Sequence, residues 1–409
     1  MRDVLEEAGV GADVNSHVAT GILLTFLAAM VALFLFVPGS RTPLLIVLGI
    51  IVMVMLHELG HYLVAKRSGM KVTEFFVGFG PRLWSFTRGE TEYGVKAIPA
   101  GGYVRIIGMT NMEEVDPADE PRTFRQATPG KRLATILAGV TVNFILAFVL
   151  FFVVIAGQGR VYDGPNTTVE RIVAGSAAHD AGLETNDKIV AVNGTTVTSW
   201  DQLKSAIERN GNREIEITVV RNGEEVALPA TPHMEDGQGF LGVGPGTVER
   251  DVSVLGAVPE SFKTMGTVTE SFVNIFADRL TPSGVSTSAR QSFTSATPEA
   301  GSSEDFNRPM SLVGITANGA DLIGDNRWLL LLLLGQISFI LAVFNLLPIL
   351  PFDGGHAAIV VYEWIASKVR HRRVFVDYRK VIPVSVVLLI PILFLGVSSM
   401  VLDIRQLGQ

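Results

Sequence analysis

The feature that most constrains this chain is an apolar run that ends in three ionisable residues. Residues 46–56 read IVLGIIVMVML, and His57-Glu58-Leu59-Gly60-His61 follows at once. A helix of roughly 20 apolar residues is long enough to cross a bilayer. Ionisable groups at membrane depth are costly and are kept for function. The expected fold is therefore a set of helices in lipid with a polar site among them. Only 18% of the 409 residues are charged, against about 25% in an ordinary soluble domain, which agrees with that expectation.

Five segments have the length and apolarity of spans: Ala19–Val37, Pro43–Ala65, Leu133–Ala156, Trp328–Leu350 and Val381–Leu402. The acidic start MRDVLEEAGV, with no small-residue cleavage site before Pro38, makes the first a retained helix rather than a signal peptide. Lys and Arg crowd residues 67–130 and the stretch before the last span, from Lys368 to Lys380, so both are expected on the cytoplasmic side. Residues 157–327 then lie outside, although Arg41, Arg160 and Arg327 fall on that side too.

Between the spans, TEFFVGFGPRLWSF and TEYGVKAIPAGGYVRIIG are β-prone runs. Phe75, Phe76, Phe79, Leu83, Trp84 and Phe86 make this region too apolar for a free loop, so a sheet dipping into the membrane face, its backbone paired as lipid requires, is expected ahead of the alternative, a small soluble hairpin domain. Residues 166–246 read as a compact mixed domain. Strands are expected at Val169–Val173, Lys188–Val192, Glu214–Arg221 and Glu225–Pro229, with turns at Asn193-Gly194 and Asn222-Gly223 and a helix at Asp201–Arg209. The apolar spacing from Leu255 to Phe276 predicts an amphipathic helix lying on the outer leaflet, and Thr281–Pro309 reads as a flexible linker.

There is no cysteine, so a metal must be held by His, Asp or Glu. His57 and His61 are four apart and share one helix face, where both imidazoles can reach one ion. Glu58 can reach a water beside it and act as general base. The third ligand comes from elsewhere. Asp353, in NLLPILPFDGGH over 345–356, is the leading candidate, because this stretch ends the fourth span at the depth of His57 and His61. His356 is a competing ligand. The net charge of −7, with no basic tract, argues against a nucleic-acid partner.

These residues resemble the site-2 protease family of intramembrane zinc metalloproteases, in its bacterial branch with a PDZ domain between central spans. HELGH matches the family's HExxH, and Asn345, Pro348, Asp353 and Gly354 match its NxxPxxxxDG motif. GSAAHDAGLETNDKIVAVNG, at 175–194, resembles the core of a PDZ domain. The resemblance covers residues 44–402. It implies a core of four transmembrane helices plus one extra N-terminal span, a membrane-associated β-hairpin region and one extracytoplasmic PDZ-like α+β domain at 166–246. It implies Zn2+ on His57, His61 and Asp353, with Glu58 catalytic, and it gives Asn345, Pro348 and Gly354 a part in handling substrate or holding the site. The family's Gly-Pro-x-x-Asn-like pattern appears as residues 139–143, reading GVTVN, with Asn143 kept as a substrate-contact or second-layer residue and the proline lost.

By the same resemblance the segments divide as 1–42 (tail and extra span), 43–66 (span with HExxH), 67–130 (β region), 131–157 (span), 166–246 (PDZ-like), 247–327 (amphipathic helix and linker), 328–380 (span, motif and cytoplasmic segment) and 381–409 (last span). The implied setting is a bacterial inner membrane with the active site near the cytoplasmic face. The implied substrates are single-pass membrane proteins such as anti-sigma factors, or signal peptide remnants, cut after an upstream site-1-type protease. A catalytically inactive PDZ scaffold and a membrane metal transporter are the rival classes.

Overall fold

A computed structural model of the chain describes residues 16–37, 39–235, 237–281, 284–286, 323 and 326–407. The chain divides into two compact units, one drawn from 1–154, 261–290 and 310–409, the other from 155–260 and 291–309. The flexible linker expected at Thr281–Pro309 and the N-terminal tail fall almost wholly outside the described residues.

The first unit opens with α1 (Ser16–Phe36) and α2 (Arg41–Arg67). Basic Lys66 and Arg67 close α2 where they meet the negative end of the helix dipole, and Met70 N–H reaches back to Ala65 O at 3.0 Å. Then come the antiparallel partners β1 (Val72–Arg88) and β2 (Thr91–Ile106). These long strands double back on each other, so Phe75 faces Val104 on one side and Tyr93 on the other. The turn between them is tied to the end of α2, because Glu90 accepts from Lys66 at 2.5 Å and pairs with Arg122 at 2.7 Å. Arg122 and Lys66 hold the Glu90 carboxyl down at about 2.

A long apolar helix, α3 (Pro129–Gln158), follows. Ala65, Val72, Ile106, Phe124, Ile136 and Val360 form one buried cluster that joins α2, the sheet and α3. A second cluster packs Ala147 and Phe151 of α3 against Phe339 further along the chain.

The second unit contains β3 (Arg160–Ile172), a short α4 (Ala177–Asp180), β4 (Lys188–Val192), β5 (Thr195–Thr196), α5 (Trp200–Glu208), β6 (Ile215–Arg221), β7 (Glu224–Ala230), β8 (His233–Glu235), β9 (Gln238–Phe240) and β10 (Val243–Asp251). Its main sheet runs β10-β3-β4-β6-β7, with β5 on β4, around a core of Val169, Ile189, Leu203, Ile215 and Ile217. Asn193 and Asn222 hold positive φ, as tight hairpin turns require. Ser199 caps α5 by accepting Gln202 N–H at 3.3 Å. β3 begins nine residues before the strand expected at Val169, paired there with β10.

The remaining helices are α6 (Ala257–Leu280), α7 (Arg327–Asn345), α8 (Asp353–Arg370) and α9 (Tyr378–Leu407). Two expectations change here. The apolar stripe of α6 is only partly free for a leaflet: Met265 and Val268 pack on the Phe151–Phe339 cluster, and Phe272 and Phe276 meet Phe344 of α7 edge to face, while Val258 and Phe262 stay exposed. The fourth span stops at Asn345 rather than Leu350, because Pro348 and Pro351 cannot continue a helix, and the chain starts again as α8. Four of these helices, α2, α3, α7 and α9, are long and apolar enough to cross a membrane; in α1 the apolar stretch Leu23–Phe36 is shorter. The chain is a multi-pass membrane protein.

Candidate metal centre

The centre is built where α2, α3 and the N-terminus of α8 meet. His57 and His61 are one turn apart on α2 and both are buried. Asp353 is the first residue of α8, where a carboxylate is favoured by the positive end of the helix dipole. The turn before it folds tightly enough that a Cβ at Gly354 or Gly355 would strike the backbone of Leu346, Leu347, Ile349 or Leu350. Only glycine lets this turn deliver Asp353 to the histidines.

Three donor atoms converge. His57 Nε2 lies 3.2 Å from Asp353 Oδ2, His61 Nε2 lies 3.3 Å from the same oxygen, and the two Nε2 atoms are 3.1 Å apart. Donors about 2.0–2.1 Å from a tetrahedral zinc stand about 3.3–3.4 Å from one another, so this near-equilateral triangle fits one face of such a site. Asp353 Oδ2 is buried with no hydrogen-bond partner, as a ligand oxygen would be. The donor set, two imidazoles and one carboxylate, suits zinc. His356 does not join it; its Nδ1 faces Tyr378 OH at 3.5 Å.

The far side of each imidazole is held by α3. His61 Nδ1–H donates to Thr135 O at 2.8 Å, which leaves Nε2 with a free lone pair. His57 Nδ1 lies 3.2 Å from the Asn143 side-chain amide, and Asn143 is fully buried with Oδ1 otherwise unpartnered. Amide oxygen and nitrogen are assigned from the bonding network, and Oδ1 facing Nδ1–H is the orientation that satisfies both groups. It leaves His57 Nε2 equally free. Ser338 Oγ donates to Asn143 O at 3.0 Å and fixes that part of α3 against α7.

Thr135, Gly139 and Asn143 are four apart and form one stripe facing α2. Between the two anchors, Gly139 leaves the space in front of the imidazoles clear: a Cβ there would strike His61 Nε2 and lie 2.8 Å from His57 Cε1 and Nε2. Gly60 of α2 likewise lies against Ala138 O of α3.

Glu58 turns toward the sheet, where its Oε2 accepts Val104 N–H at 3.0 Å. Residues 102–106 pair on one side only, with 72–77, so this edge of β2 lies beside the site. Asn345 ends α7, and its side chain makes no hydrogen bond among the described residues. Pro348 is exposed in the turn. Thr135 and Val104 act through their backbones, which residue identity does not reveal; Gly139 was visible as a small residue one turn before Asn143.

Residues 45–390 match the model of peptidase family M50. Zinc metalloprotease Rip1 of Mycobacterium tuberculosis is 34% identical over 384 residues, covering 85% of this chain and 93% of that protein. The Rip1 proteins of Mycobacterium bovis and Mycolicibacterium smegmatis are 34% and 31% identical, over 85% and 84% of this chain and 93% and 92% of theirs.

Proposed function

This chain belongs to peptidase family M50, and from that premise we propose how its residues divide the work of an intramembrane zinc protease. The observation that carries the proposal is the donor triangle of His57, His61 and Asp353, with edges of 3.1–3.3 Å. These three residues hold the zinc. Thr135 and Asn143 fix the two imidazoles in the tautomer that offers Nε2. Bound zinc supplies Lewis acidity toward the scissile carbonyl and toward water.

Glu58 takes the proton from the attacking water on its carboxylate and passes it to the leaving nitrogen. Its hydrogen bond to Val104 N–H holds it beside the β2 edge. A peptide bond inside a helix is shielded, so the substrate must unwind first. We place the unwound segment as an added strand along residues 102–106, whose outer edge, apart from the Val104 N–H that Glu58 holds, supplies backbone partners. Asn345 and Pro348, at the break between α7 and α8, steady its other side, and Gly354 keeps Asp353 in place. Phe79, Trp84, Phe86 and Ile98 are exposed on the sheet, which supports a position against lipid.

The Lys and Arg distribution puts the β region and α8 on the cytoplasmic side and the second unit outside. Within that unit a groove of about 290 Å³ is lined by Arg171, Trp200, Lys204, Phe240 and Leu241. Its apolar floor suits the last side chain of a peptide, and Arg171 and Lys204, offset in part by Glu208, leave net positive charge for the carboxylate, which favours a PDZ-like module that docks a trimmed C-terminus. A size filter against bulky outer domains is the alternative use of the same module. In either case the substrates are single-pass proteins of the anti-sigma type, or signal peptide remnants, trimmed first by another protease. Deleting 166–246 tests this. A docking site predicts loss of cleavage of trimmed substrates, and a filter predicts new cleavage of untrimmed ones. Unchanged cleavage of both rejects both roles.

A further inference from the structure

A second polar site lies away from the metal centre. A cavity of about 420 Å³ opens between the start of α3 and the end of α8. Arg125, Arg132, Lys368, Arg372 and Arg373 line it against the single carboxylate of Glu363. Glu363 accepts Val376 N–H at 2.8 Å through Oε1, and its buried Oε2 lies 2.8 Å from Arg132 Nη1 as an ion pair without an aligned hydrogen bond. Arg125 is spent on Glu120 at 2.5 Å. Among the described residues no carboxylate pairs with Lys368, Arg372 or Arg373. Arg132 contributes to the lining, but its side chain is only 8% exposed and its guanidinium lies over the Phe124 ring, beside Glu363. Thr128 and Pro129 also line it, at the positive N-terminal end of a 30-residue helix. The concentration of positive charge on Lys368, Arg372 and Arg373, unmatched by carboxylates, calls for a ligand with several anionic oxygens.

The surroundings say where that ligand comes from. The cavity begins at the first residue of a membrane span, Pro129–Gln158. Next to it, α8 exposes Val361, Ile365 and Val369, one turn apart on a single stripe, with Trp364 beside them carrying Lys368 4.4 Å over its ring. In a membrane protein such a stripe beside a span end meets acyl chains, with the aromatic ring and cations at headgroup depth. We propose that this cavity binds the phosphate headgroup of an anionic phospholipid, with the acyl chains along the exposed face of α8. Lys368, Arg372 and Arg373 take the phosphate oxygens, and the lipid braces α8, whose first residue is Asp353.

The test uses delipidated full-length protein in neutral detergent, titrated with dioleoylphosphatidylglycerol, dioleoylphosphatidylcholine or sn-glycerol 1-phosphate, with native mass spectrometry and the melting midpoint as readouts. Phosphatidylglycerol is expected to bind saturably and raise the midpoint, with phosphatidylcholine at least tenfold weaker. Replacing Lys368, Arg372 and Arg373 together by Ala should weaken phosphatidylglycerol on the order of a hundredfold, about fivefold for each cation near a membrane surface. The charge-keeping set Lys368→Arg, Arg372→Lys and Arg373→Lys should bind within a few-fold of wild type, which separates lost charge from a misfolded cavity. Glycerol phosphate binding as tightly as the lipid, and lost in the Ala variant, would keep the phosphate site and assign it a soluble ligand. Equal binding of the two lipids, or wild-type phosphatidylglycerol affinity in the Ala variant, would overturn the proposal.

Discussion

Gly139→Ala isolates the geometry of the metal centre with one methyl group. The new Cβ would strike His61 Nε2 first and would stand 2.8 Å from His57 Cε1 and Nε2, where ordinary contact begins at 3.4 Å. The His61 ring must retreat furthest and the His57 ring by about 0.6 Å, well beyond the roughly 0.2 Å that metal–ligand distances tolerate. Retreat of the His57 ring is resisted on its far side by Asn143. Overpacking of this kind costs about 1–3 kcal/mol, and most of it falls on the zinc-loaded state, since a metal-free imidazole can swing aside. That range is about a 5- to 150-fold loss of zinc affinity. Helix propensity acts in the opposite sense, because Ala improves a helix interior over Gly by about 1 kcal/mol. Gly266 of α6 has no atom within 4 Å of its missing Cβ, so Gly266→Ala reports the propensity gain alone. Zinc affinity is read by competition with a chelator, and stability by melting with and without zinc. Gly139→Ala should lose zinc affinity and most of the melting shift that zinc confers, while Gly266→Ala keeps both. Wild-type zinc affinity in Gly139→Ala would refute the placement of this helix face against the donors.

Three further outcomes follow from the same contacts. Asp353→Ala should lower zinc affinity far more than His356→Ala, as measured by metal content after dialysis against a chelator. Asn143→Leu, which removes the acceptor for His57 Nδ1–H, should cost about 10- to 100-fold in zinc affinity or activity, whereas Asn143→Asp should retain zinc. In the second unit, burial pushes the Asp187 carboxyl up, but the Arg221 guanidinium at 2.7 Å and the Glu184 N–H outweigh it and hold it below its ordinary value. A carboxyl depressed on folding stabilises the fold above its unfolded pKa, and that stability is lost as the pH falls through the folded pKa. Amide protection factors in β4 and β6 of the full chain, corrected for the intrinsic exchange rate at each pH, should therefore fall as the pH drops below the ordinary carboxylate range, and Arg221→Ala should flatten this dependence.

Much of the site was legible because it rests on local periodicity. Four-residue spacing on a helix puts His57 and His61 on one face whatever surrounds them, and Asp353-Gly354 announces a turn. Strand Lys188–Val192 and the two Asn-Gly turns were legible for the same reason: their signals are complete within a few residues. The stop at Asn345 was missed because apolar residues continue to Leu350, and hydropathy does not register a proline break. Helix α8 was missed because its polar face reads as a loop when the helices it packs on are unknown. The double-back of β2, which brings Val104 to Glu58, depends on pairing between distant residues that no local pattern encodes. Thr135 serves through its carbonyl, and any residue offers one.

The central claim is that three residues hold zinc while a fourth moves the proton, and Glu58→Gln tests it most directly. The substitution keeps the size and polarity of the side chain and removes its basicity. Zinc content and cleavage of a single-pass reporter are measured on the same preparation in liposomes. About one zinc per chain should remain, as in the wild type, with cleavage slower by at least about a hundredfold. A Glu58→Gln protein that keeps its zinc and cuts at the wild-type rate would contradict the account, as would a wild-type protein that cuts nothing while carrying zinc across the liposome membrane.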